Sequence, residues 1–332
     1  MRERVGLYDL SPASKFEVSG ARSAEWLDAI LASGLPPVGR SALCYLLTRS
    51  GGVACEFTLS RLAEDRFYLV GATVAERHHF DVLARLLPDG GSVSLRNLTS
   101  QFGVFAVAGP RAREVLSVLI DTDLGNAAFP SWSNRELTVG LASAVRALRI
   151  NYVGELGWEL HHPIEYQRQL FDALLAAGER CALALVGRRA VESLRLEKSY
   201  RALWRDLSTE YTALESRLDR FLDLEKPGFI GQAALLAQRR HGLKRRLTVL
   251  SLASGEADPF QNETVYREGK PVGHITSAAY GRAVGCCLAH AYVDVPHDAE
   301  GTELEVAVLG KRRAAHVIAP SPYDPTGARS RL

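Results

Sequence analysis

The chain has 332 residues, 40 basic against 38 acidic side chains, and a formal net charge of +2. That balance argues against a nucleic-acid or polybasic membrane surface, and 47% hydrophobic with 23% charged residues argues against wholesale disorder. No apolar run approaches the roughly 20 residues that span a bilayer, and the opening MRERVGLYDL has no signal-like apolar segment, so a cytoplasmic location is expected.

The length predicts two domains, or three small ones. The five cysteines (44, 55, 181, 286 and 287) are odd in number and form no Cys-x-x-Cys, which reads as core thiols. His78–His79 and His161–His162 are adjacent pairs, and neighbours on a strand or helix point in different directions. No metal site is expected.

In chain order, residues 15–19 (KFEVS) alternate as a strand, and 24–31 has helical spacing with Ser23 as its expected N-cap. Strands are expected at 42–48 and 53–62, joined by a hairpin at Gly51-Gly52, and again at 66–71. A helix at 74–87 stops at Pro88. Strands at 93–97 and 102–108 precede a helix at 110–120 with Pro110 in its first turn. Extended segments follow at 136–139, 144–152 and 158–161, then amphipathic helices at 163–177 and 185–198. After a short helix at 231–238 the chain turns to strands: 245–252, 263–267, 271–277, 284–292, 303–308 and 312–317. Gly and Pro punctuate these every 8–12 residues, the pattern of a small barrel or sandwich. The whole reads as α+β layers followed by an all-β module, with the boundary near Pro227.

Four segments carry a resemblance: NYVGELGWEL (151–160), ESLRLEKSY (192–200), DLSTEYT (206–212) and LEKPGFIG (224–231). Weaker support comes from GGVACEFTL (51–59), GNAAFP (125–130) and KPVGHITS (270–277). In this order the chain resembles the folate-binding aminomethyltransferase family that includes the glycine cleavage T-protein. It is most similar to the folate-binding portion of dimethylglycine and sarcosine dehydrogenases. The resemblance implies a three-domain cloverleaf, two ferredoxin-like α+β domains and a C-terminal β-barrel around a central channel. Residues 1–226 would form the α+β region, as subdomains of about 14–100 and 101–226 plus the N-terminus. Residues 227–332 would form the barrel.

It also implies tetrahydrofolate as cofactor. A pterin edge offers an N3–H and a 2-amino group, which one carboxylate accepts bidentately. That carboxylate would be Glu159, with Gly154 and Gly157 bringing backbone near the ring and Tyr152 lining it. Glu56 would be the catalytic carboxylate, Cys55 having replaced a second acid. Arg195, Tyr211 and Tyr323 are further cofactor-side candidates, and Arg217 and Glu215 substrate-side ones. Arg195 and Glu197 also read as buried structural charges. Where the family has small residues this chain has Arg205, Arg217 and Ala278-Ala279, which take up space where the backbone once came close, and Arg282 stands where the family has a histidine. About 40 family residues that precede Met1 have no counterpart here.

Nothing resembles a Gly-x-Gly-x-x-Gly after a first strand, so no flavin is expected in this chain, which would act with tetrahydrofolate alone or beside a separate flavin oxidase or dehydrogenase subunit. The expected activity is a tetrahydrofolate-dependent one-carbon transfer from a small N-, S- or O-methylated compound. One alternative is a divergent enzyme using a remodelled channel for a non-folate molecule. The other is a non-catalytic folate-binding or accessory subunit. Lys226–Gln232 (KPGFIGQ) lacks the cysteine of the iron–sulfur-maintenance branch of the family.

Overall fold

The computed structural model describes every residue except Ser254 and Glu256. Contacts divide the chain into two compact units, one of residues 1–45, 55–187 and 327–332, the other of 46–54 and 188–326.

The first unit carries, in order, β1 (Gly6–Asp9), β2 (Ser14–Ser19), α1 (Ser23–Ile30), β3 (Ser41–Leu47), β4 (Val53–Ala63), β5 (Arg66–Gly71), α2 (Glu76–Arg85) and β6 (Ser94–Asn97). There follow β7 (Phe102–Ala108), α3 (Ala112–Leu116), β8 (Asn134–Val139), β9 (Ala142–Leu148), β10 (Gly157–Pro163), α4 (Gln167–Gly178) and β11 (Ala184–Leu185). The tip of the β3–β4 hairpin belongs to the second unit. Two sheets result, with orders β3-β4-β5-β2-β6 and β11-β1-β7-β10-β9-β8.

Alternation along each strand separates two faces. On the five-stranded sheet Phe16, Val18, Phe57, Leu59, Phe67 and Leu69 are fully buried, and Phe16 and Phe57 meet Phe80 and His79 of α2. On the six-stranded sheet Leu7, Phe105, Val107, Trp158 and Leu160 join α3 and α4 residues in one apolar cluster. Each such buried side chain contributes on the order of 1.5–3 kcal/mol. The opposite faces carry polar side chains, and those are buried too. Lys15, Glu17 and Tyr68 sit on one sheet, Tyr8, Arg146, Glu159 and His161 on the other.

The second unit holds α5 (Arg188–Glu197), α6 (Gln232–His241) and six strands, β12 (Arg245–Leu252), β13 (Thr264–Arg267), β14 (Lys270–Gly281), β15 (Cys286–Asp294), β16 (Glu303–Val308) and β17 (Lys311–Ile318). The strands close into a barrel in the order β12-β15-β14-β13-β16-β17. Its interior is filled by Leu250, Ile275, Ala289, Ala291, Val306 and Val317 among others. Closure gives every strand of the barrel a partner on both sides. The α+β architecture with a C-terminal barrel is therefore the one the sequence implied.

Local differences have local causes. Ser23 lies inside α1, and its hydroxyl donates to the Asp65 carbonyl instead of capping the helix. The helix expected over 110–120 is confined to Ala112–Leu116, and the chain then turns to let Gly140 N–H reach the Leu119 carbonyl. The strand expected to run to Tyr152 ends at Leu148. There the Asn151 side-chain oxygen accepts the N–H groups of Val153 and Gly154, making an Asx turn.

Candidate functional site

The strongest constellation lies in the first unit, in the seam between the polar faces of its two sheets. On β10 the period of two puts Trp158 and Leu160 into the apolar cluster and Glu159 and His161 on the other face. Across the sheet, Tyr8, Ala106, Glu159 and Leu148 stand in one row. The small Ala106 side chain leaves space between Tyr8 and the carboxylate.

Glu159 is 8% exposed, and its Oε2 lies 3.2 Å from His161 Nε2. A carboxylate only accepts, so Nε2 carries the proton and donates. His161 Nδ1 is then the acceptor for the Tyr68 hydroxyl, 3.1 Å away. The Tyr68 ring meets the imidazole edge-to-face at 5.4 Å. Burial lowers the His161 pKa, outweighing the pull of Glu159 in the opposite direction. The imidazole is thus neutral and serves as a fixed donor. Burial, and then the Glu159 charge, raise the Tyr8 hydroxyl pKa above its ordinary range. Burial does the same to Tyr68. Both phenols stay protonated.

The rest of the seam is ionic. Arg146 Nη2 donates to Glu17 Oε2 at 2.9 Å while its guanidinium packs over the rings of Tyr68 and Phe102. Arg66 shares the same oxygen at 3.0 Å. Lys15 donates to the Ser11 and Ala13 carbonyls, both at 2.7 Å, and burial brings its ammonium down to about 8.

The loop that delivers Glu159 is pinned from below. Glu155 is fully buried and pairs with Arg2 at 2.9 Å and Arg329 at 3.0 Å. Gly154 takes φ +75°, a left-handed value that favours glycine. Gly157 serves a different need: a Cβ there would lie 2.8 Å from both the Ala108 side chain and the Val107 carbonyl. It lets β10 sit close against β7. Tyr152, half-buried, lies two residues before Gly154, and the Tyr8 hydroxyl near its backbone makes no hydrogen bond to the described residues.

Glu56, half-buried on β4, alternates with the buried Cys55 and Phe57. The ladder pairs Thr58 with Val70 and Ser60 with Tyr68, and β5 pairs Tyr68 with Glu17. Glu56 therefore lies on the sheet face that carries Tyr68, Glu17 and Lys15.

The remaining sequence candidates lie in the second unit. Arg195 is fully buried; its Nη1 donates to Asp206 Oδ2 at 2.5 Å and to the Tyr200 carbonyl at 2.7 Å, and Nη2 reaches Glu192. Burial alone would raise the Asp206 carboxyl, but Arg195 and His290 hold it well below the usual carboxylate range. Thr276, Ser277 and the Ala202 N–H also donate to it. Arg195 thus anchors a charge cluster whose centre, Arg195, Asp206 and His290, is buried. Arg205 turns outward to Glu192 at 2.8 Å. Glu215 accepts from the Thr212 N–H at 3.0 Å and caps its own turn. Tyr211 stacks on Tyr292 at 3.6 Å and meets His274 Nε2 at 3.0 Å. Tyr323 is tied through its N–H to the Glu197 carbonyl. Arg217 donates from Nε to the Leu247 carbonyl at 2.8 Å.

Sequence reasoning missed His161, Tyr68, Tyr8 and Glu155. A signal existed for His161 alone, since two residues along a strand from Glu159 means the same face.

Residues 1–226 match the family model described as "GCVT N-terminal domain", and residues 245–324 match "Glycine cleavage T-protein C-terminal barrel domain". Mouse (Mus musculus) mitochondrial dimethylglycine dehydrogenase is 37% identical over 99% of this chain, and mouse mitochondrial sarcosine dehydrogenase 32% identical over 99%. The chain spans 38% of the length of each. The crystal structure of the glycine cleavage system aminomethyltransferase T from Bartonella henselae superposes with a TM-score of 0.87 at 27% identity, over 98% of this chain and 88% of that one. With both family modules in order along one chain and the fold shared nearly end to end, the chain belongs to the glycine cleavage T-protein family of aminomethyltransferase-type proteins.

Proposed function

We propose that the chain is a tetrahydrofolate-dependent one-carbon transferase acting on a small N-methylated compound. The observation that carries this reading is Glu159, an almost buried carboxylate to which His161 gives a single hydrogen bond. A carboxylate so placed keeps acceptor capacity for a flat ring edge with two adjacent N–H donors, which is what a pterin presents. The carboxylate therefore fits the group, with Tyr8 in the same row of the sheet.

Tetrahydrofolate, when bound, supplies the nitrogens that receive the one-carbon unit. The chain's own residues hold and orient. His161 fixes one carboxylate oxygen of Glu159, Tyr68 fixes the imidazole, and the phenol rings exclude water from the seam. Glu56 would take or return a proton at its carboxylate and stabilise positive charge developing on a substrate amine. The relatives named above are dehydrogenases of dimethylglycine and sarcosine. A flavin-bearing oxidase or dehydrogenase subunit supplying the one-carbon unit is the partner this reading calls for.

The test is a calorimetric titration of the full chain with tetrahydrofolate, alongside Glu159→Ala. Saturable binding that falls at least tenfold in the variant, about 1.4 kcal/mol, is the expected result. A folded wild-type chain that takes up no tetrahydrofolate overturns the proposal.

A further inference from the structure

A second cavity, of about 390 Å³, lies wholly within the second unit. It is at the small end of the range typical of small-molecule sites, about 300–1,000 Å³. It opens where the β12–β17 ladder stops. Pairs run from Leu252–Ala315 to Val249–Ile318, beyond which the two strands part and form walls of the cavity. Three guanidinium groups line it, from Arg201, Arg217 and Arg246, together with Thr248.

The acids there balance them poorly. Asp298 is shared by Arg217 at 3.6 Å and Arg246 at 3.5 Å, longer than the 2.7–2.9 Å of a strong charge-assisted bond. Glu300 is exposed. Arg201 is held rigidly, donating to the Ser216 and Arg217 carbonyls at 2.8 and 2.9 Å. Burial, then the Arg246 charge, lower the Arg217 pKa. The cavity is thus a pocket with an excess of positive charge.

One wall adds a more specific demand. His290 is 1% exposed, and its Nδ1 lies 3.3 Å from Asp206 Oδ1. Nδ1 also lies 3.4 Å from Arg195 Nη1, which only donates, so it stands between a donor and an acceptor. Nε2 is buried, accepts no hydrogen bond from the described residues, and belongs to a residue lining the cavity.

We propose that this pocket binds a small oxyanion. Arg217 and Arg246 grip the anion. Carboxylates and phosphate monoesters share this chemistry. The site is independent of the folate reading, and each stands or falls alone.

The experiment is calorimetry on the full chain with malate, with glycerol 3-phosphate, and with glycerol as the neutral control. Saturable binding of at least one anion with Kd below about 1 mM, and none of glycerol, is expected; the anion that binds identifies the class. Arg246→Met weakens that binding at least tenfold. Asp298→Asn, which removes the competing carboxylate, tightens it several-fold, a gain that misfolding cannot produce. Tetrahydrofolate affinity stays at the wild-type value in both variants. Failure of both anions to saturate at roughly 10 mM, equal binding of glycerol, or anion affinities unmoved by both substitutions overturns the proposal.

Discussion

Replacing His161 by phenylalanine isolates what the imidazole does for Glu159. A flat aromatic ring is kept, though a larger one, the donor to Glu159 Oε2 at 3.2 Å is removed, and so is the acceptor for Tyr68 at 3.1 Å. A hydrogen bond to a charged group is worth about 1.5–3 kcal/mol. The 3.2 Å separation is long for such a bond, so the lower end applies, and about 1.5 kcal/mol is roughly a tenfold loss of tetrahydrofolate affinity. The loss arises because the carboxylate, no longer held at one oxygen, samples orientations that miss the pterin edge. The variant also leaves the Tyr68 hydroxyl without its acceptor, costing about 1–3 kcal/mol of stability. A denaturation curve must therefore accompany the titration. His161→Gln, whose amide N–H can reach toward the same oxygen, should restore part of the affinity. Tyr68→Phe, one step further out, should cost only about twofold to threefold, consistent with the smaller worth of a neutral hydrogen bond. Wild-type affinity in a folded His161→Phe chain would show that the imidazole does not position the carboxylate, and the reasoning would fail.

Three further outcomes can be checked independently. Glu56→Gln should leave tetrahydrofolate affinity nearly unchanged while cutting turnover at least tenfold, about 1.4 kcal/mol of barrier; equal turnover would remove Glu56 from the mechanism. Gly157→Ala should destabilise the first unit by about 1–3 kcal/mol, because its Cβ meets β7 at 2.8 Å; an unchanged urea midpoint would contradict that contact. His79 is buried against Phe57 at 4.6 Å, makes no hydrogen bond through either ring nitrogen, and is brought by burial down to about 3. Both folded and unfolded chains hold it neutral above pH 6.5, so its titration contributes nothing there. As pH falls from 6.5 toward 3 only the unfolded chain takes the proton, and stability is lost at about 1.4 kcal/mol per pH unit. His79→Phe should remove that loss, a gain of about 2 kcal/mol at pH 5, measured by urea denaturation at pH 7 and pH 5; the same gain at both values would refute the titration argument.

The barrel was the most legible part of the fold. β12 and β16 fall where alternation and Gly/Pro punctuation put them, because a closed barrel buries one face of every strand and each strand writes its own period of two. The short strands β1 and β11, four and two residues long, carry no such signature. They exist because β7 offers an edge to β1, and β1 in turn to β11, a long-range fact with no local trace. The Asx turn at Asn151 ended a run of apolar residues that otherwise reads as strand, since one side chain supplied the turn's acceptor.

The candidate site was legible in proportion to how local its geometry is. Residues 15–19 read as a strand with one wet face, because alternation tells polar from apolar but not exposed from buried. In the fold that polar face meets another polar face, and Lys15 and Glu17 are 0% and 6% exposed. Burial of this kind requires that every charge be answered, and the answers come from afar: Arg146 for Glu17, 129 positions away, and Tyr68 for His161, 93 away. Within β10 the inference needs no distant partner. Once Trp158 and Leu160 are taken as core residues, Glu159 and His161 must share the opposite face, so the donor beside the carboxylate was implicit in five letters, WELHH. What those letters could not contain is the partner of the far ring nitrogen. The proton sits on Nε2 because the Glu159 carboxylate only accepts, and the Nδ1 lone pair this leaves is answered by the Tyr68 hydroxyl, from a strand of the other sheet.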